Sequence, residues 1–599
     1  MQKPFVVLVA IVFAGFWVSR SSAAETPAKL FRAGAHAIDI TPQQLPVRIS
    51  GGFLEDVANQ VTDRLHARCL VLDDGTKRLA IVVVDNCMMP RELLDEAKEQ
   101  ARRRTGIPTE RMLISATHTH SGPAAMGCLG CRTDTNYTRI LPGKIAEGIE
   151  RAVQNLAPAR VGWGVVDDPE HTHTRRWIYR SDQVGTDPFG DRTVRANMHP
   201  GHRNPNVIGP SGPKDPGLSM LSVQTRDGRP LALLANYSMH YYGATAVSAD
   251  YYGRFATQMA KLIGGEVGEP PFVGIMSQGT SGDQMWMDYG QSAVNIGLDA
   301  YAQAVAKVAF EGYQKIQYQN WVPLAMAETT LSLRRRTPSE QRLAWAKAIT
   351  DKMTNDLART IPEVYALEAF FLHREPIREL KLQALRIGEL GITAIPNEVY
   401  AITGLKLKAW SPLQPTFNIE LANGAEGYIP TPEQHKLGGY TTWPARTAAL
   451  EETAEPKIVE TVLGLLERVA GRHAGPAPNR TAHTPAPCSR PSRSLTGASA
   501  SSTGAKLWTP PGTTMRRFTK TALPSISLAR SRRGSPNRAV PIPRLISRAA
   551  GLKRPSRNWP TLTPLSFGFG TGFRLRPAAS PAICSRAART ALLPAWAII

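Results

Sequence analysis

The sequence lacks acidic residues at its C-terminal end: residues 468–599 contain no Asp and no Glu, although they contain 22 of the chain's 71 Lys and Arg residues. Residues 1–467 therefore hold the remaining 49 basic residues and all 49 acidic ones, which gives a formal net charge of zero. The overall charge of +22 belongs to the C-terminal segment alone. The charge of the main part gives no ground for predicting a nucleic-acid partner.

Residues 471–599 also lack repeats, heptads and any folded pattern, and they are rich in Pro, Ser, Ala and Arg. This composition is typical of a disordered tail. A basic arm for nucleic acid or a membrane surface is the functional alternative. The complete absence of carboxylates instead favours a frameshifted reading of a GC-rich gene, and we assign this tail no partner.

Long apolar runs are scarce as well. Lys3 precedes an apolar segment from Phe5 to Val18, and small residues follow at 21–24. The segment is shorter than the roughly 20 residues that span a bilayer. It predicts a cleaved secretory signal peptide over residues 1–24, and hence a secreted or periplasmic protein.

Cysteines are few, six in all. Cys69 and Cys87 lie in or beside predicted strands and are interpreted as small core residues. Cys128 and Cys131 form a CxxC pair without a second such pair in the chain. In an exported protein this favours a disulfide or two free thiols over a zinc site.

Between these ends, residues 30–470 alternate predicted strands and helices. Apolar runs at 65–72 and 78–84 flank the turn sequence Asp73-Asp74-Gly75, which predicts a hairpin. Helical spacing recurs at 92–104 and 252–263. The pattern predicts an α/β fold with a large mixed β-sheet flanked by helices, in one large domain.

Two histidines stand at the end of a predicted buried strand. The segment 116–123 reads Ala-Thr-His-Thr-His-Ser-Gly-Pro, so His118 and His120 project from the same face of an extended chain. Open α/β sheets place ligands at such strand ends. Imidazole is a common metal ligand and acid–base group. A His-rich loop and a buried hydrogen-bonded pair are the alternatives.

Two further residues occupy similar positions. His240 ends the apolar run 231–240, and Glu398 follows an apolar run and Pro396. A catalytic zinc ion needs about three protein ligands and a position for water, so these residues could complete a site with His118. Singly, His240 could be a buried hydrogen-bonded histidine, and Glu398 could cap the next helix.

The segment 116–123 resembles the zinc-site motif of the neutral/alkaline ceramidases, which are secreted zinc amidohydrolases. The resemblance covers residues 30–470 and implies the ceramidase catalytic-domain fold, without the immunoglobulin-like C-terminal domain of the best-known members. It also implies the cofactor Zn2+, and its implied ligands are His118, His240, Glu398 and Tyr440. Asn397 stands where the family has Gly, and Tyr440, which follows Gly427-Tyr428, is offset by about one residue.

The resemblance further implies that His120 polarises the substrate and that Arg175 lies near the scissile amide. If the alignment to the family shifts by one residue, Arg176 takes the place of Arg175. It breaks where the family has Gly-Asp-x-Ser, because Gly282 and Asp283 match but Met285 occupies the serine position. A thioether cannot attack a carbonyl carbon. Either Ser281 substitutes, or zinc-activated water attacks directly while Asp283 handles its proton, and we favour the second route.

The sequence thus predicts a secreted zinc-dependent amidohydrolase that cleaves an N-acyl amide of the N-acylsphingosine type. The expected partners are this lipid and an encounter with a membrane surface, and no nucleic acid. The alternatives are a zinc hydrolase of another ester or amide, and an exported binding protein that has lost catalysis with the serine.

Overall fold

Two β-sheets packed face to face form the centre of the fold in the computed structural model, which describes residues 29–265 and 268–472. The predicted signal peptide and the predicted tail from residue 473 onward lie outside the described residues. No helix within the two described ranges is long and apolar enough to cross a bilayer.

The strands are β1 (Arg32–Asp39), β2 (Val47–Ile49), β3 (Asp56–Ala58), β4 (His66–Asp73), β5 (Arg78–Val84), β6 (Met112–Ala116), β7 (Ala157–Asp167), β8 (His173–Thr174), β9 (Arg176–Tyr179), β10 (Ala196–Met198), β11 (Val207–Pro210), β12 (Gly217–Thr225), β13 (Pro230–Tyr237), β14 (Val273–Gln278), β15 (Gln284–Met285), β16 (Gln317–Gln319), β17 (Leu324–Arg334), β18 (Ile377–Ile387), β19 (Leu390–Ile395), β20 (Glu398–Val399), β21 (Thr416–Glu420) and β22 (Tyr428–Ile429).

The α-helices are α1 (Arg91–Thr105), α2 (Thr135–Gln154), α3 (Asp250–Ile263), α4 (Leu298–Tyr313), α5 (Glu340–Thr350), α6 (Ile361–Arg374), α7 (Ala401–Trp410), α8 (Pro432–His435) and α9 (Ala454–Ala470).

The larger sheet has nine strands in the order β14-β13-β12-β7-β1-β4-β5-β6, and β16 also pairs with β7. Most neighbours are antiparallel, but β13–β14 and β5–β6 are parallel. The smaller sheet has the order β17-β18-β19-β21. The predicted hairpin is present as β4–β5, and its turn is closed by the Asp74 N–H, which donates to the Lys77 carbonyl. The predicted mixed sheet with flanking helices is confirmed.

Successive side chains of a strand point to opposite faces of the sheet, and this alternation explains how the helices and the two sheets pack in layers. In β4, Cys69 and Val71 pack with α1 and α2, while Leu70 and Leu72 face the smaller sheet. Helices α3 and α4 cover the other end of the first face, and α9 covers the outer face of the smaller sheet. The second sheet between the helix layers is an addition to the sequence prediction. It explains why these strands are apolar on both faces.

A buried lysine interrupts the core beneath α1. Lys98 is fully buried, and its Nζ donates to Asn423 Oδ1 at 2.7 Å and lies 4.0 Å from Glu328 Oε2. Burial lowers its pKa to about 7. The charged groups that face it are Glu328 and Asp95, which raise the pKa, and Lys381 and Arg91, which lower it. Folding therefore favours the neutral amine.

Lys98→Met should flatten the pH dependence of the free energy of unfolding, because methionine has no proton to release on folding. Between about pH 7 and the ordinary lysine pKa of about 10.4, the unfolded wild-type chain holds a proton that the folded one releases. Wild-type stability should therefore rise with pH across this window, and the variant should lose that slope. Urea unfolding at pH 7, 8 and 9 measures both effects.

Lys457→Met is the matched control, because Lys457 is half-exposed and pairs with Glu451 at the surface. It should keep the wild-type slope. A wild-type slope in Lys98→Met would contradict the assignment of the pH dependence to Lys98.

Candidate metal centre

Three of the four predicted zinc ligands converge at the strand ends. His118 Nε2 lies 3.0 Å from His240 Nε2 and 3.3 Å from Glu398 Oε2, and His240 Nε2 lies 3.6 Å from the same oxygen. All three side chains are buried. Their donor atoms form a group that could hold a metal ion.

The backbone directs His118 into this cluster. After β6 the Thr117 N–H donates to the Val84 carbonyl, and His118 then adopts a left-handed conformation with φ +69°. Its N–H donates to the Asn86 carbonyl. The ring Nδ1 lies 2.9 Å from the Cys87 carbonyl oxygen, so Nε2 is left to face His240. A carbonyl partner on the far nitrogen is the usual arrangement for a metal-binding histidine.

The cluster fits a metal ion on a structural ground. Glu398 Oε2 is buried without a hydrogen-bond partner in the described structure. Burial lowers the pKa of His240 well below its usual value, as does the charge of Arg175, and the neutral imidazole is the form that binds metal. Two imidazoles and a carboxylate around one point are a ligand set suited to zinc, and a cation there would satisfy the unpaired carboxylate oxygen.

His120 lies beside this cluster. Its Nε2 is 3.2 Å from His118 Nε2, and its ring stacks on Tyr241 with 3.7 Å between centroids. The backbone of Gly51 covers the ring so closely that an added Cβ would lie 2.5 Å from His120 Cγ. With φ +122° as well, this position requires glycine.

Arg175 faces the cluster, whereas Arg176 points away from it. Arg175 Nη2 lies 3.0 Å from His240 Nε2 and donates to the Gly282 carbonyl at 2.9 Å and to Tyr428 Oη at 3.2 Å. Burial by itself lowers the pKa of Arg175. Electrostatic interaction with four neighbours nevertheless raises this pKa above its usual value, and these neighbours are Tyr440, Tyr428, Tyr241 and Glu398. Arg176 instead donates to Gln434 and Gly438.

Two tyrosines border the site. The predicted ligand Tyr440 lines the cavity, with its ring 5.9 Å from that of Tyr428. Tyr428 pairs in register with Glu398 through β20–β22, and burial and Glu398 raise its pKa well above the usual value. The Tyr428 hydroxyl is therefore next to the carboxylate. In the sequence, Tyr428 stands in the Gly427-Tyr428 segment, which the sequence analysis used only to locate Tyr440.

The structure does not bring Ser281 or Asp283 to the cavity wall. The Ser281 hydroxyl donates to Glu420 Oε1 at 2.6 Å. Asp283 Oδ1 accepts from the Ala401 N–H at 2.9 Å, because the loop turns this carboxylate toward the first residue of α7. Met285 is buried in β15 and pairs with His173. The geometry thus lends no support to attack by Ser281 or to proton handling by Asp283.

A cavity of about 240 Å³ opens onto the cluster. A second groove of about 330 Å³ shares Phe53 and Tyr440 with it. His199, which the sequence analysis did not single out because it stands in no pattern, lines the cavity and places its Nε2 3.4 Å from Arg175 Nη1. The cavity is lined by Ser50, Gly51, Gly52, Phe53, Cys87, Met88, His118, His120, Cys128, Leu129, Arg175, His199, His240, Tyr241, Glu398, Tyr428, Tyr440 and Thr447.

The CxxC pair consists of free thiols. Cys128 and Cys131 exchange two backbone hydrogen bonds of 3.0 and 3.1 Å across a tight turn, without a bond between their sulfurs. Burial raises the pKa of both thiols to about 12. Of the two alternatives that the sequence left open, the structure shows the unpaired one.

No family model matches the chain. Neutral ceramidase of Pseudomonas aeruginosa is 25% identical over 225 residues, which are 35% of this chain and 30% of that protein. Neutral ceramidase B of Dictyostelium discoideum is 24% identical over 271 residues, 42% of this chain and 35% of that protein. The matched regions thus span about a third of these two relatives. The crystal structure of the Pseudomonas aeruginosa neutral ceramidase superposes with a TM-score of 0.54 at 16% identity, over 75% of this chain and 76% of that one.

Fold and site together define an α/β protein with a buried histidine–glutamate centre at the strand ends. With the sequence matches, they support the resemblance that segment 116–123 predicted. The chain is thus similar to the neutral ceramidases in both sequence and fold.

Proposed function

We propose that the protein is an exported, zinc-dependent amidohydrolase that cleaves the amide bond of an N-acylsphingosine-like lipid, with residues 30–470 as its catalytic unit. The observation that carries this proposal is the convergence of His118, His240 and Glu398 beside Arg175 at the base of one cavity. The curated relatives are neutral ceramidases, and one similar solved structure is a ceramidase complexed with C2.

His118, His240 and Glu398 would hold the zinc ion, with the hydroxyl of Tyr428 or Tyr440 beside them. Zinc at such a site polarises a carbonyl and lowers the pKa of a bound water to about 7. The imidazoles would supply lone pairs, and the Glu398 carboxylate would supply negative charge that offsets that of the ion.

Arg175 would stabilise the negative charge that develops on the carbonyl oxygen during attack. Its guanidinium is buried and held by the Gly282 carbonyl and Tyr428, so it needs no reorganisation when the charge appears. His120 and His199 are the remaining imidazoles at the cavity wall. Burial first, and then His118 and Arg175, lower the pKa of His120, so this ring accepts a hydrogen bond more readily than a proton.

The cavity and its neighbouring groove support an apolar substrate. Phe53 and Tyr440 separate the two spaces, and Ile361, Pro362 and Trp443 line the outer one. A hydrocarbon chain leaving the amide would find aromatic and aliphatic surface in this direction. A substrate of this kind would be taken from a membrane surface.

The test uses the zinc-loaded protein with a fluorogenic N-acylsphingosine, a short N-acyl amine and a matched ester. We expect hydrolysis of the first, its loss after treatment with a zinc chelator, and its return when zinc is added back. Activity on the ester alone would favour a different hydrolase. No hydrolysis of any of the three would favour the binding protein that Met285 in the serine position suggests.

A further inference from the structure

A carboxyl group that the mechanism does not use lies directly behind the metal centre. Glu420 ends β21 and is fully buried. Its Oε1 accepts from the Ser281 hydroxyl at 2.6 Å. Ser281 in turn places its Oγ 3.4 Å and its carbonyl oxygen 3.2 Å from His240 Nδ1. Carboxyl, hydroxyl and imidazole therefore form one chain that ends on a proposed ligand.

The other oxygen of Glu420 contacts the segment of a second proposed ligand. Oε2 accepts from the Val399 N–H at 2.7 Å, and Val399 follows Glu398. The two segments also contact each other, because the Gly282 N–H donates to the Val399 carbonyl at 2.8 Å. An added Cβ on Gly282 would lie 2.8 Å from the Glu398 carbonyl oxygen. Glu420 thus joins the loop of Ser281, which contacts His240, to the closely packed segment that carries Glu398.

This chain of contacts has one consistent hydrogen-bond direction when His240 binds a metal through Nε2. The imidazole must then carry its proton on Nδ1, where Ser281 offers its acceptors. The Ser281 hydroxyl donates onward to Glu420 Oε1. Outer partners of this kind fix the tautomer and ring orientation of a metal-binding histidine, and losing one typically costs 10–100-fold in metal affinity.

We propose that Glu420 and Ser281 are positioning residues, which hold His240 in the tautomer and orientation that bind the metal. The inference rests on the metal site under Proposed function. It gives the Ser281 hydroxyl a role other than attack on the substrate, in keeping with its position behind the cavity wall.

The first measurement is zinc affinity by competition with a chelating dye. Ser281→Ala and Glu420→Gln should each weaken zinc binding about 10–100-fold. Because both residues act through one chain, the double variant should lose much less than the product of the two single effects. Glu455→Gln is the matched control, since Glu455 is also buried and accepts from a hydroxyl, that of Thr403 at 2.7 Å. It should bind zinc within about twofold of wild type.

The second measurement is hydrolysis by Ser281→Ala at saturating zinc. A positioning role predicts that the rate recovers toward wild type, whereas loss of an attacking serine would persist at several orders of magnitude, on the order of 10⁶. Wild-type zinc affinity in both variants, equal weakening in Glu455→Gln, or an unrecovered rate would each overturn the inference. If the wild type itself binds no zinc, both the proposed function and this inference are wrong. If only His118→Ala loses zinc, the inference alone fails.

Discussion

His118→Ala should abolish stoichiometric zinc binding. His118 Nε2 lies within 3.3 Å of both other proposed ligands, so its removal leaves one imidazole and one carboxylate, too few for a catalytic zinc site. The loss should exceed the 10–100-fold that is typical for an outer partner. Metal analysis after dialysis measures zinc per chain, and hydrolysis of the N-acyl substrate should fall to background in the same samples.

His171→Ala is the control for this prediction, because His171 also contacts a carboxylate, Asp168 at 2.7 Å, but does not line the cavity. It should retain one zinc ion per chain. Full zinc occupancy in His118→Ala would contradict the proposed metal centre.

Arg175→Lys should lower kcat/KM for N-acyl hydrolysis by about 10²–10³, the usual effect of removing one fixed donor to a developing oxyanion. Lysine keeps the charge but loses the planar fork that contacts the Gly282 carbonyl and Tyr428 together. Zinc content should stay near wild type, because Arg175 is not a ligand. The measurement is steady-state kinetics on zinc-loaded protein of known metal content.

Arg176→Lys separates this effect from the general cost of changing a buried arginine. Arg176 is equally buried, but it donates its hydrogen bonds to Gln434 and Gly438. We expect it to lower stability and to leave the rate per folded molecule unchanged. Equal rate losses in the two variants would refute the role assigned to Arg175.

The parts of the fold and of the candidate site that could be predicted depend on short stretches of sequence. His118, His240 and Glu398 each follow an apolar strand, and α/β sheets bind ligands just beyond the ends of their strands. The β4–β5 hairpin depends on a local turn sequence. The smaller sheet was missed because apolar strands buried by a sheet look like strands buried by helices.

What could not be predicted depends on contacts between distant segments. The position of the Tyr428 hydroxyl follows from the β20–β22 register, and the direction of Asp283 follows from its contact with Ala401. The sequence did contain one indication of Glu420, because an acidic residue ends the apolar strand β21. Its partner Ser281 is 139 residues away in the chain, so no local pattern connects the two.

The long separation of the proposed ligands has a consequence for folding. His118 and His240 are 122 residues apart in the chain. The strands β6 and β13 that precede them are not hydrogen-bonded neighbours in the larger sheet, and both contact β21 of the smaller sheet. Contacts of this kind form late, because the entropy of closing long loops must be overcome first. We therefore expect a zinc ion at the proposed site to bind after the strands have assembled, unlike the zinc that organises a zinc finger. Metal capture at this site would then mark a chain whose tertiary structure is already complete.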